Sequence, residues 1–99
     1  MKDIVFTGKA YTDFIEWSKT DRKVFEKISI LIEETSRTPF KGKVEAKRRP
    51  RAKRGGKPEP LRHQLKGCWS RRITEEHRLV YKVNENEVQI ISCKYHYQE

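Results

Sequence analysis

Few side chains here can move a proton near neutral pH, and they are unevenly placed. They are Glu59 in the run Gly56-Lys57-Pro58-Glu59-Pro60, the acids Glu75 and Glu76, and the histidines His63, His77 and His96. A carboxylate to take a proton, a histidine to give one and arginines to hold developing negative charge suffice to cleave RNA without a metal: the base removes the 2′-hydroxyl proton, the acid protonates the leaving 5′ oxygen, and the cations stabilise the phosphorane. Each group also has a plainer account. Glu59, stiffened by a proline on each side, also fits a solvated loop acid. His96, between Tyr95 and Tyr97, also fits a partly buried histidine at a strand end. Arg78 can pair with an acid such as Glu76 instead of a phosphate. Arg71 and Arg72 read as a solvated strand face or as a grip on backbone phosphate. His63, His77, Cys68 and Cys93 lack ligand spacing, so no metal site is expected. Gly55-Gly56 has no following helix, so it is not a phosphate loop.

The elements that must position these groups are legible from periodicity. In Trp69 to Val83 the apolar positions Trp69 and Ile73, then Leu79, Tyr81 and Val83, follow a period of two, with Arg72 and Arg78 on the opposite parity. A sheet built this way carries cations on one face. Ile4 to Phe6 is a short first strand, broken at Gly8. From Lys9 to Lys19, Ala10, Phe14 and Trp17 recur at helical spacing, widened by Tyr11 and Ile15. Thr20-Asp21 reads as the cap between this helix and a second one, whose stripe is Val24, Ile28, Leu31 and Thr35, widened by Phe25 and Ile32; Lys23, Lys27, Glu33 and Glu34 take its outer side and Pro39 ends it. Leu61 to Leu65, Cys68 to Thr74, His77 to Val83 and Val88 to Tyr95 then read as strands. The expected fold is α+β, β-α-α-β-β-β-β, with two N-terminal helices packed on a twisted antiparallel sheet.

The 99 residues fit one domain, with a flexible basic loop at about 41–57, where Pro, Gly and repelling cations leave nothing to bury. Twenty-three Lys and Arg against 14 Asp and Glu give a net charge of +9, which favours a polyanionic partner. Cys68 and Cys93 form no CxxC pair and read as small buried thiols. No apolar run approaches a membrane span and the N-terminus lacks a cleavable leader, so a cytoplasmic protein without membrane contact is expected.

Four ordered segments, RTPF (Arg37 to Phe40), GKPEPL (Gly56 to Leu61), WSRRITEEHRLVY (Trp69 to Tyr81) and YHY (Tyr95 to Tyr97), resemble the YoeB-type toxins of the RelE superfamily, and the likeness extends over nearly the whole chain. It implies a microbial-ribonuclease-like fold and a metal-independent, cofactor-free, ribosome-dependent mRNA endoribonuclease acting in the A site. It also implies neutralisation by a YefM/Phd-type antitoxin, and a homodimer is a further option. Carried over by position, Glu59 matches the general base, Arg78 the cation on the scissile phosphate, His96 the general acid, and Tyr97 a residue completing the site. Arg62 stands where the family has a phosphate-binding lysine, and Arg71 and Arg72 match an rRNA- or phosphate-contacting pair. Lys57, Arg48, Arg49 and Arg51 are the further cations expected to meet RNA. Two departures stand out. A basic insertion, about 44–55, lies where the family runs directly into PEPL, and Gln98-Glu99 extends past YHY, adding negative charge where the substrate phosphate approaches. A non-catalytic basic module that binds nucleic acid or ribosomes is the alternative.

Overall fold

A computed structural model describes residues 1–39, 58–62 and 66–95. β1 (Asp3–Phe6) leads into α1 (Gly8–Thr20) and α2 (Arg22–Arg37), followed by β2 (Glu59–Pro60), β3 (Trp69–Arg72), β4 (Arg78–Val83) and β5 (Glu87–Ser92). The order of elements is the expected one. His63, the 41–57 loop with Arg48, Arg49, Arg51 and Lys57, and the terminal His96 and Tyr97 lie outside the described residues.

Single residues set the helix boundaries. Thr7 opens α1: its Oγ1 accepts the Ala10 N–H at 3.1 Å and donates to the Ile91 carbonyl at 3.0 Å. Asp21 serves both helices, its N–H closing α1 on the Trp17 carbonyl and its carboxylate accepting the Val24 N–H at 3.3 Å to open α2. One residue thus makes the whole junction, as the Thr20-Asp21 reading expected. α2 stops at Thr38, before Pro39.

The five strands form one sheet in the order β1-β5-β4-β3-β2. It is mixed, not antiparallel: β1 runs parallel to β5, pairing Ile4 with Val88 and Phe6 with Ile90. A period of two tells which face a residue takes but not which way the strand runs, so this direction could not be read from the pattern. Of the strand expected at Leu61 to Leu65, Leu61 and Arg62 stand just past a ladder that lies earlier, and residues 63–65 fall outside the described residues. The ladder is at Glu59 and Pro60, and Leu61 donates its N–H to the Cys68 carbonyl at 3.0 Å. Because hydrogen-bonded and non-bonded pairs alternate, Pro60 occupies a position that needs no N–H.

The helices cover one face. Ala10, Trp17, Ile28, Leu31 and Ile32 meet Ile73, Leu79, Tyr81, Val88, Ile90 and Cys93 in the main core, with Ile4, Phe6, Phe14 and Trp69 at its margin. Each fully buried aliphatic side chain here is worth roughly 1.5–3 kcal/mol. Tyr11 does not widen the α1 stripe; it is exposed, edge-on to Phe6. Residues of the other parity, Ser70, Arg72, Arg78, Val80 and Lys82, face away from the helices. On that face a small second cluster of Leu61, Cys68, Val80 and Ile91 supplies an apolar floor.

Candidate active site

Arg71 and Arg72 are adjacent on β3, so the strand sends them to opposite faces. Arg71 shares its face with Trp69, Leu79 and Tyr81 and is completely buried. Its Nη2 donates to the Thr38 carbonyl at 2.8 Å, its Nε to Tyr81 Oη at 3.3 Å, and its Nη1 lies 4.0 Å from Glu34 Oε1. Tyr81 Oη in turn donates to the Pro39 carbonyl at 2.7 Å. Burial pushes the Tyr81 phenol above its ordinary value, while the Arg71 cation opposes that shift. This corrects two expectations: Arg71 does not present itself to RNA, and Glu34 is buried against Arg71, not on the outer side of α2. Helical spacing alone could not reveal the second, because the partner lies on a strand. The parity of Arg71, shared with Trp69 and Ile73, was the available signal for the first.

Arg72 and Arg78 are directly opposite each other on β3 and β4, on the face turned away from the helices. Arg72 pairs with Glu75 at 2.6 Å, both side chains largely solvated. Such a surface pair is worth no more than about 1 kcal/mol and yields readily to a competing phosphate. Arg78 does not pair with Glu76, the acid its place in the sequence suggested. Its Nη1 donates to the carbonyls of Thr74, Glu75 and His77 at 2.7, 3.2 and 3.1 Å. Among the described residues no carboxylate is ion-paired with Arg78, and the nearby Glu76 stands 3.9 Å from His77 Nε2 instead. The bend at Thr74 to His77 therefore orients a charged guanidinium without neutralising it.

Glu59, exposed on the edge strand β2, is in register with Ser70 and through it with Val80. That is two strands across and two residues along from Arg78, a Cα separation of about 12 Å from strand geometry. A carboxylate and a guanidinium thus flank a shallow strip of sheet whose floor is Leu61, Cys68 and Val80. Arg62 is exposed just beyond Leu61. Sequence reasoning gave Ser70 no role, although its parity places it here. Its hydroxyl is buried next to Glu59 and has no hydrogen-bond partner among the described residues.

The end of β5 approaches the same strip. Asp13 of α1, buried, accepts the Cys93 N–H at 3.3 Å, and Trp17 Nε1 donates to the Cys93 carbonyl at 2.9 Å. Lys94 binds Glu16 at 2.7 Å, which lowers the Glu16 proton affinity and raises that of Lys94. Tyr95 then turns in the left-handed region, φ 62°, with its N–H on His77 Nδ1 at 2.7 Å and its carbonyl on the Arg78 N–H at 3.2 Å. Tyr95 is the residue before His96. Both cysteines are buried and free, as expected: Cys68 in the small cluster, Cys93 in the main core. Among the described residues no three His, Cys, Asp or Glu side chains gather as a metal site, and no helix is long and apolar enough to cross a membrane.

Two helices on one face of a five-stranded mixed sheet, with the polar strip on the other, define the class: the fold is that of the YoeB- and RelE-like toxins. A YoeB/ParE toxin from Agrobacterium tumefaciens is similar at a TM-score of 0.80 and 40% identity, covering 96% of this chain and 99% of that one. A YoeB-YefM complex from Staphylococcus aureus contains a chain similar at a TM-score of 0.74 and 35% identity, covering 98% and 99%. Toxin YoeB of Escherichia coli (strain K12) is 46% identical over 94 residues, 95% of this chain and 98% of the relative. The family model for the YoeB-like toxin of bacterial type II toxin-antitoxin systems matches residues 6–97. The chain belongs to that family.

Proposed function

We propose that this toxin is a metal-independent endoribonuclease that cleaves mRNA in the A site of the translating ribosome and so arrests translation. The observation that carries the reading is the strip of sheet, on the face turned away from the helices, on which an exposed carboxylate, Glu59, lies across from an oriented guanidinium, Arg78. Glu59 takes the 2′-hydroxyl proton, and the oxygen attacks the adjacent phosphorus. Arg78, with Arg72 released from Glu75 and with Arg62 nearby, holds the phosphorane charge. His96, assigned by resemblance, protonates the departing 5′ oxygen, and Tyr97 completes the site. The products are a 2′,3′-cyclic phosphate and a 5′-hydroxyl. Alignment of the RNA by the ribosome supplies orientation worth several kcal/mol, which a shallow strip cannot supply alone.

The net charge of +9 supports rRNA and mRNA as partners, with Lys57, Arg48, Arg49 and Arg51 as further contacts. By analogy with the Staphylococcus aureus complex, the neutralising partner is a YefM-type antitoxin, offering an acidic, partly disordered segment to the basic face. Mapping 5′ ends on a defined mRNA with purified toxin and translating ribosomes tests the reading. New ends at the A-site codon are expected; ribosome binding with no new ends would make the protein a basic binding module instead.

A further inference from the structure

None of the chemical steps calls for a histidine at position 77, yet this side chain is the most heavily engaged of the bend. Its ring meets Trp17 of α1 edge-on at 4.8 Å and Tyr95 at 5.3 Å. Its backbone is fixed as well: the N–H donates to Thr74 Oγ1 at 3.1 Å, and the carbonyl accepts the N–H groups of Ile73 and Thr74. A ring nitrogen that accepts a hydrogen bond carries no proton, so Nδ1, accepting the Tyr95 N–H at 2.7 Å, leaves the neutral ring's proton on Nε2, toward Glu76. Residues 77 and 78 thus hold both peptide groups of Tyr95. They hold them in a left-handed conformation that costs a non-glycine residue about 1–2 kcal/mol and persists only where its surroundings impose it.

We propose that His77 is a positioning residue: its unprotonated Nδ1, by accepting the Tyr95 N–H, locks the turn Lys94-Tyr95 onto the start of β4 and fixes the direction in which the chain leaves toward His96. The lock concerns the toxin itself; only its consequence for catalysis rests on the endoribonuclease reading. Two substitutions separate acceptor from ring. His77→Phe keeps a ring against Trp17 and Tyr95 but accepts nothing, whereas His77→Asn places an amide oxygen where Nδ1 was and gives up the ring.

Ring nitrogen NMR of the native toxin at neutral pH is expected to show the Nε2–H tautomer; an Nδ1–H tautomer or an imidazolium overturns the proposal. The Tyr95 amide should exchange at least about tenfold faster in His77→Phe than in the parent, and within about threefold of the parent in His77→Asn. On translating ribosomes His77→Phe should lower kcat roughly 10- to 100-fold with KM within about threefold, and His77→Asn should recover most of that loss. Parental kcat and parental Tyr95 exchange in His77→Phe would mean that the ring merely packs. If the parent itself cuts no mRNA, the endoribonuclease reading fails, and the lock is judged by tautomer and amide exchange alone.

Discussion

At the scale of single residues the neighbours Arg71 and Arg72 predict opposite phenotypes. Arg71→Ala removes a buried cation from Glu34, Tyr81 and the end of α2, and should cost roughly 3 kcal/mol in urea unfolding. Arg72→Ala removes only a solvated pair and should leave stability within about 0.5 kcal/mol, while weakening association with ribosomes and flattening its salt dependence. Equal destabilisation by both would contradict the parity that separates them. Glu59→Gln keeps size and polarity but cannot take a proton, so cleavage on ribosomes should fall about 100-fold or more with ribosome binding unchanged. A loss smaller than about threefold would remove Glu59 from the role of base.

At the scale of elements the junction of α1 with the end of β5 carries a pH signature. Burial, reinforced by the Asp13 carboxylate, pushes the Cys93 thiol up from 9.0 to about 12. The native state therefore keeps this proton at pH values where the unfolded chain has released it. The contribution is fully present below pH 9 and is lost as pH rises toward 12, so unfolding midpoints should fall across that window. Cys93→Ala should fall less steeply between pH 9 and pH 11; parallel curves would mean that the thiol is not linked to folding. The Asp21 junction shows the same economy of means, since one carboxylate and one N–H join two helices whose apolar stripes must both face the sheet.

At the scale of the whole molecule the basic segment near 44–55, read from the sequence as an insertion ahead of Glu59, is expected to add an electrostatic contact with rRNA. Deleting Arg48 to Arg54 removes five cations (Arg48, Arg49, Arg51, Lys53 and Arg54). The slope of log affinity for ribosomes against log salt should become shallower by up to about 3–4 units while the cleavage position stays the same. An unchanged slope would mean that the insertion makes no contact with RNA.

Much of this protein was determined by its sequence alone. Helical spacing and a period of two are local properties of the chain, so the two helices, the order of elements and the cationic face with Arg72 and Arg78 could be read directly, and ordered motifs carried the family. The direction of β1, the partners that bury Arg71 and Glu34 and the grip of His77 on Tyr95 could not. Each depends on a partner distant in sequence, and a local pattern specifies which face a side chain takes, not what it meets there. The tertiary structure decided those points because burying a cation or a carboxylate, or holding a left-handed residue, is tolerable only where such a partner is already in place.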